Sequence, residues 1–275
     1  MLIIEPRAGL CNRMRVVDGG RAFAKAIDHP LTVVWRLDQD LGASFGDLFE
    51  PLVGIASWYE FDCRTGAGRK AREGLVNEAR ADLSFDAPHV DALLRQKFAF
   101  LSLKDVPILH IEACSRFHNA EKPFADFTPK PHLRERIAAI TSHFNDTIGI
   151  HIRRNDSHAS IEESPTEDFL VRMSHALEQA EGRTFFVATD DPREEGTLAA
   201  VFPRRVIRQP KRSCDRSRLE AIEDAVVDLY CLAATQKVFG SYFSSFSETA
   251  AALGAIPLET IRRSRPAKPP SVSWI

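Results

Sequence analysis

An α/β fold is what this sequence predicts, and three observations predict it. Short β-branched or apolar runs recur along the chain, among them Leu2 to Ile4, Leu31 to Trp35 and Thr184 to Ala188. Segments with helical spacing of apolar residues stand between them. Several of the runs end in charge or turn residues, as strands do when a site lies beyond the carboxyl edge of an open sheet. The chain has 275 residues, 44% hydrophobic and 27% charged, ordinary for a soluble globular protein with one large or two modest domains.

Composition also excludes some functions. A net charge of −2 gives no global case for nucleic-acid or membrane-surface binding. Cys11, Cys63, Cys114, Cys214 and Cys231 are scattered, odd in number and never spaced C-x-x-C. That argues against a disulfide framework or a zinc site and suits reduced thiols in a cytoplasm. The apolar run at Met1 to Ile4 is too short for a signal peptide or a membrane span, and no later window supplies a transmembrane segment.

In order, Leu2 to Ile4 reads as the first strand. Pro6 to Arg13 follows as a turn, with a left-handed residue at Gly9 and a helix N-cap at Asn12. The helix runs to about Ile27, with Val16, Gly20, Phe23 and Ile27 on one face. Leu31 to Trp35 is a second strand, Asp38 to Phe49 a loop with a short helix, and Val53 to Trp58 a third strand. Residues 64 to 104 are charged and mostly helical by pattern, and Pro107 to Ile111 is another strand. Prolines over 121–131 mark a linker before a helix from His132 to His143.

The most informative stretch is Thr147 to Asp156. Ile148, Ile150 and Ile152 make a strand that delivers His151, Arg153, Arg154 and Asp156 at its carboxyl end. Two adjacent guanidiniums suit the oxygens of a phosphate, with Asp156 holding one of them. From the residues alone, a structural salt bridge on a solvated strand end fits equally. Ser157 to Pro165 reads as a loop over the site, Phe169 to Ala180 as a helix and Thr184 to Ala188 as a buried strand. The Asp190–Asp191 pair after it makes a weak metal site and a better helix cap from Asp191. After a short strand at Val206–Ile207, residues 204–218 carry many basic side chains, a solvated face or a funnel for anions. In the apolar helix from Ala221 to Thr235, Asp228 needs a partner, either a basic side chain or a ligand donor. Lys237 to Gly240 is a strand. Ser245-x-x-Glu248 reads as a capping box at a helix start that also suits phosphate. Ala255 to Leu258 is a last strand, and the basic tail from Arg262 packs on the surface.

His151-Ile-Arg153-Arg154-Asn-Asp156 resembles the H-x-R-R-x-D signature of the fucosyltransferase superfamily. That group holds the α1,6-fucosyltransferases, including rhizobial nodulation enzymes, the α1,2-fucosyltransferases and the protein O-fucosyltransferases. Gly9-Leu10-Cys11-Asn12-Arg13 resembles the superfamily's G-L-G-N-R/Q motif, with Cys11 in place of the second glycine. Ala188 to Pro192 resembles A-T-D-D-P, Asp228 matches a base-holding Asp by position, and Ser241 to Glu248 resembles the F-S-S and S-S-F-S segments. The matches fall in the right order, dense over 145–254 and thin between 20 and 140.

The resemblance implies a GT-B-like fold, two Rossmann-like domains facing across a cleft, with residues 1–140 on the acceptor side and 141–275 binding the sugar nucleotide. It implies transfer of fucose from GDP-fucose to a glycan or glycoconjugate hydroxyl, with inversion and without a metal or cofactor, by a compact bacterial-type cytoplasmic enzyme. Arg153 would stabilise the departing GDP, and Arg154 would orient Asp156 or assist. His151 and Asp228 would read the guanine. Ser244, Ser245 and Ser247 would hold the diphosphate, and Gly9, Asn12 and Arg13 would complete the donor site. The base departs from the α1,6 pattern, because Ser157 stands where those enzymes carry Lys. Glu162, Glu163 and Asp156 are the candidates, unless the leaving group departs first and none is needed. The rival readings are a GT-B transferase of another sugar nucleotide and an inactive sugar-nucleotide- or glycan-binding relative. A phosphoryl-transfer enzyme is disfavoured by the lack of a G-x-x-x-x-G-K-[ST] loop.

Overall fold

The structure, a computed structural model, describes residues 1–155 and 157–263. It opens with β1 (Leu2–Pro6), α1 (Leu10–Ala26), β2 (Leu31–Leu37), α2 (Phe45–Leu48), β3 (Ser57–Asp62) and α3 (Gly66–Glu78). Then come β4 (Leu83–Phe85), α4 (Ala87–Arg95), a 3₁₀ turn at Phe100–Leu103, β5 (Leu109–Ala113) and α5 (Pro131–Thr141). The second half holds β6 (Thr147–Ile152), α6 (His158–Glu163), α7 (Thr166–Gln179), β7 (Thr184–Thr189), α8 (Pro192–Val201) and β8 (Val206–Ile207). It closes with α9 (Leu219–Ala233), β9 (Val238–Ser241), α10 (Ser245–Gly254) and β10 (Leu258–Ile261).

The strands form two five-stranded sheets, ordered β3-β2-β1-β5-β4 and β10-β9-β6-β7-β8. Every pairing in them is parallel. Parallel sheets are covered on both faces, which is why β1 and β6 are buried along their whole length. This is the GT-B-like arrangement of two Rossmann-like halves.

Alternation along β6 sets up the site. Ile148, Ile150 and Ile152 face a core with Phe169, Met173, Phe185, Val187 and Phe239. Gly149 and His151 therefore face the other side, toward α9 and α10. The larger core runs through both halves. It joins Leu10 and Met14 of α1, and Phe45 and Leu48 of α2, to Ile222, Val226 and Leu229 of α9 and Ala250 of α10.

Several elements differ from the sequence expectation. The third strand begins at Ser57 rather than Val53, because Gly54 turns the chain with φ 79° and Val53 is left exposed. The charged 64–104 stretch hides a short edge strand, β4, which pairs with β5. The segment over 157–165 is not all loop, because Ser157 caps a short helix by accepting from the Ser160 N–H. The last strand runs from Leu258 to Ile261 rather than over 255–258. The tail from 264 lies outside the described residues. Among the described residues no helix is long and apolar enough to cross a membrane.

Candidate functional site

The second sheet reverses its strand order between β6 and β9, with β7 and β8 on one side and β10 on the other. The loops leaving β6 and β9 therefore diverge and open a crevice beyond their carboxyl ends. The β1–α1 turn of the first half stands across this crevice. Ala8, not Gly9, takes the left-handed backbone there, at φ 63°. Gly9 is the N-cap of α1 in an extended conformation, and no side chain caps the helix. Asn12 sits within its first turn instead of capping it. A Cβ at Gly9 would meet no protein atom within 4 Å, so the turn is open to close backbone approach by a ligand.

On the other side of the cleft α10 begins at Ser245 after the N-cap Ser244, again with no side-chain cap. The expected Ser245–Glu248 capping box is absent because the N-cap is Ser244, one residue earlier, and the Glu248 carboxylate pairs with Arg15 of α1. Arg15 Nη2 also donates to the Ser245 carbonyl at 3.2 Å. Arg15 thus fastens the start of α10 to α1. Two uncapped helix N-termini, one from each half, border the same cleft. Their unpartnered N–H groups and positive dipole ends favour an anion.

Three cations border it too: Lys211, Arg153 and Arg216. The Arg153 N–H donates to Ser241 Oγ at 3.1 Å, tying the end of β6 to the end of β9. The Arg216 carbonyl accepts from the Gly42 N–H at 2.8 Å. A Cβ on Gly42 would fall 1.8 Å from the Ser217 carbonyl oxygen, so only glycine lets this loop rest on the first half. Lys211 pairs with the Asp228 carboxylate, and Gln209 Nε2 donates to Asp228 Oδ1 at 2.5 Å. Burial pushes the Asp228 carboxyl up, and Lys211 and Gln209 draw it back. Asp224, one turn earlier, accepts from the Arg212 N–H at 2.6 Å and from Arg136 Nη2 at 2.6 Å. Burial opposes its charge, but these donors hold it below the ordinary carboxylate range.

His151 sits at the base of the cleft. Its Nδ1 lies 2.8 Å from Ser247 Oγ, and its ring stacks on Phe246 with centroids 4.8 Å apart. Burial first, then Arg153 and Lys211, push the imidazole down to about 3. At neutral pH it is an uncharged hydrogen-bonding group.

Neither a family model nor a curated protein sequence matches the chain. Solved structures do. The fold is that of the fucosyltransferases. A NodZ α1,6-fucosyltransferase soaked with GDP-fucose aligns over 92% of each chain at 20% identity, with a TM-score of 0.61. An Arabidopsis thaliana FUT1 variant in complex with GDP aligns over 94% of this chain and 69% of that one at 15% identity, TM-score 0.58. POFUT1 in complex with GDP aligns over 94% and 97% at 12% identity, TM-score 0.57.

Of the residues singled out from sequence, the fold brings Gly9, Asn12, His151, Arg153, Asp228 and Ser245 to one cleft. Ser244 and Ser247 are buried behind His151. Arg13 does not line the cleft. Its side chain is 0% exposed and bonds Asp38 at 2.8 Å, the Ala8 carbonyl at 2.7 Å and the Arg36 carbonyl, so it braces the β1–α1 turn rather than touching a ligand. Arg154 does not line this cleft either. It turns away to Glu194 at 2.7 Å and Thr166 at 3.0 Å, in a separate hollow beside α7 and α8. Glu162 and Glu163 lie on α6 and do not line the cleft, and Asp156 lies outside the described residues.

The sequence offered Asp190 only as half of a weak metal site. It lines the cleft and accepts from the N–H groups of Arg154 at 2.7 Å and Asn155 at 3.2 Å, fixing the exit of β6. A strand-end Asp beside a strand-end Arg pair was the available signal. Asp191 does cap α8, accepting from the Arg193 N–H at 2.9 Å. Lys211 and Arg216 were hidden in a basic loop whose other members face elsewhere. Among the described residues no three His, Cys, Asp or Glu side chains are grouped to hold a metal ion.

Proposed function

We propose that this protein is a glycosyltransferase that moves fucose from GDP-fucose to a hydroxyl of a glycan or glycoconjugate. The observation that carries the reading is the convergence of two uncapped helix N-termini with Lys211, Arg153 and Arg216 on one cleft. A multiply charged diphosphate fits such a place, and a neutral ligand would make no use of it. The bound GDP-fucose and GDP of the similar structures support the nucleotide. Residues 1–140 form the acceptor side and 141–275 the donor side in the same proposal.

In the transfer, the bond between the sugar's anomeric carbon and the β-phosphate oxygen breaks as the acceptor oxygen bonds to the opposite face. GDP leaves with the electron pair. Arg153 and the N–H groups at the start of α10 receive the growing phosphate charge, a role of the kind worth ~10²–10³ in rate. The start of α1 adds its dipole from the other side. His151, neutral and held by Ser247, offers a fixed polar edge to the nucleotide. Asp228 keeps further lone pairs on its oxygens for the base, even with Lys211 and Gln209 attached. Because Asp228 is already paired, it does not by itself demand guanine, and that favours one second reading: a donor with another base. No metal is part of the reading. The Asp156 carboxylate is the candidate base, since Glu162 and Glu163 stand away from the cleft.

Thermal unfolding against GDP, GDP-fucose, GDP-mannose, UDP-sugars and dTDP-sugars, with and without EDTA, tests this. GDP and GDP-fucose should raise Tm by several degrees near saturation, because ~100 times Kd adds about 2.7 kcal/mol. EDTA should change nothing, and Arg153→Ala should abolish the shift. A shift selective for UDP or dTDP would replace the donor. No shift with any nucleotide would sink the transferase.

A further inference from the structure

The loop from β9 to α10 carries an aromatic ring that the donor chemistry leaves unused. Phe243 is 75% exposed, and its backbone is left-handed at φ 54°. A bulky residue is strained there, so the surroundings must impose it. They do. The Tyr242 N–H donates to Ser164 Oγ at 2.7 Å, and its carbonyl accepts from Ser160 Oγ at 2.7 Å. The Tyr242 ring lies under the Arg262 guanidinium at 4.0 Å. Ser241 on one side and Ser244 on the other are buried. A glycine or asparagine would take this backbone without strain, yet the chain holds a phenylalanine there and turns its ring to water.

The place of the ring says what meets it. Ser245, two residues on, lines the cleft, so the two Cα atoms lie within about 7 Å. Ser241, two residues back, holds the Arg153 backbone at 3.1 Å. Phe243 does not itself line the cleft, but its backbone stands between Ser241, which holds Arg153, and Ser245, which lines it. Its apolar surroundings are small. Ile161 on α6 is the exposed apolar side chain on the helix that holds Tyr242, whereas Val53, Tyr59, Leu101, Val171 and Val201 belong to other elements. One or two side chains fall far short of the ~1,000 Å² that a specific protein interface buries. They match the C–H face of a single sugar ring, which an aromatic face holds through dispersion and weak C–H contacts.

We propose that Phe243 is the platform for the acceptor: its ring stacks on the C–H face of the acceptor pyranose and aims a hydroxyl at the donor sugar beside Ser245. The proposal rests on the glycosyltransferase reading above and deepens it by naming a residue of the donor half that joins residues 1–140 in selecting the acceptor.

The full chain and its Phe243→Asn and Phe243→Tyr variants test it. Asparagine tolerates the left-handed backbone, so the Asn variant should melt at or above the wild-type temperature. With GDP present, saturation-transfer NMR is recorded on the methyl β-glycosides of glucose, galactose, mannose and N-acetylglucosamine. The wild type and the Tyr variant should pass saturation to the ring C–H protons of at least one glycoside. The Asn variant should bind that glycoside about tenfold more weakly, with the GDP-induced melting shift equal in all three proteins. Undiminished saturation in the Asn variant overturns the platform, and so does its absence from the wild type while GDP still raises Tm. If GDP fails to raise the wild-type Tm, the donor reading falls, and this proposal falls with it.

Discussion

The two sheets place charge at equivalent edges and use it differently. At the carboxyl end of the first sheet, Glu5 of β1 is fully buried and accepts from Arg72 at 2.9 Å and Arg36 at 2.6 Å. Glu112 of β5 pairs with Arg7 beside it. Burial alone would raise the Glu5 pKa, but His110, Arg72 and Arg36 reverse that and bring it down to about 2. At the matching edge of the second sheet, His151, Arg153 and Lys211 border an open cleft together with two helix N-termini. In the first half the guanidiniums serve the chain's own carboxylates. In the second, cations and helix N-termini gather on a cleft that is open to a ligand. A charge cluster at a strand edge thus says little until its partners are known.

The largest test of that contrast is Glu5→Ala. Removing the carboxylate takes the ion-pair partner from Arg36 and leaves Arg72 with Glu112, at 3.4 Å, and urea unfolding should show a loss of about 3–5 kcal/mol. The wild type should show the same dependence through pH. Because the folded-state pKa is depressed, the Glu5 contribution is complete above about 4.5 and is lost as pH falls toward about 2. A stable Glu5→Ala protein would mean that the first-half cluster is surface decoration.

Arg153→Ala should behave in the opposite way. Its loss should lower turnover by ~10²–10³ and abolish the GDP melting shift, while the urea midpoint of the free protein stays near wild type. Equal damage to stability would move Arg153 into the structural class of Arg13 and Arg72.

His151 gives an intermediate effect with a definite sign. Its folded-state pKa lies near 3, below the ordinary imidazole value of about 6.5, so the unfolded chain takes the proton first. Stability should fall as pH drops from 6.5 toward 3, at up to about 1.4 kcal/mol per pH unit. His151→Gln should flatten that part of the profile. An unchanged slope would show that the imidazole reaches water in the folded state.

Much of the second half was legible because its signals are local. The isoleucine alternation of β6 fixes its buried face, and by elimination puts His151 on the α9–α10 side. The order of the motifs pointed to two facing halves. What stayed hidden depends on long-range contact. Arg13, at the start of α1, and Arg153, just past β6, both follow a strand closely, and only the fold shows that Asp38 and two carbonyls enclose the first. Glu248 satisfies the capping-box spacing, yet Arg15, 233 residues away in sequence, takes its carboxylate. Gly42 looked like a loop glycine until the Ser217 carbonyl was found against it. The edge strand β4 is too short to show a period.

The smallest test concerns Arg15 and decides whether the two helix ends act together. Its side chain is 19% exposed and that of Glu248 is 57% exposed, so their ion pair itself contributes little to stability, within about 1 kcal/mol. The bond from Arg15 to the Ser245 carbonyl is different in kind, because it joins the backbone of one N-terminus to the other helix. Each helix end is worth roughly 0.3–1 kcal/mol to a nearby anion. Arg15→Ala should therefore weaken GDP binding three- to tenfold by titration calorimetry, with Tm of the free protein almost unchanged. Glu248→Ala removes the ion pair and spares the carbonyl bond, so it should leave GDP affinity near wild type. If the two variants behave alike, the loss comes from charge and not from alignment. If neither weakens GDP, the convergence of α1 and α10 is a by-product of packing, and the contrast between the two sheet edges would rest on Arg153, Lys211 and Arg216 alone.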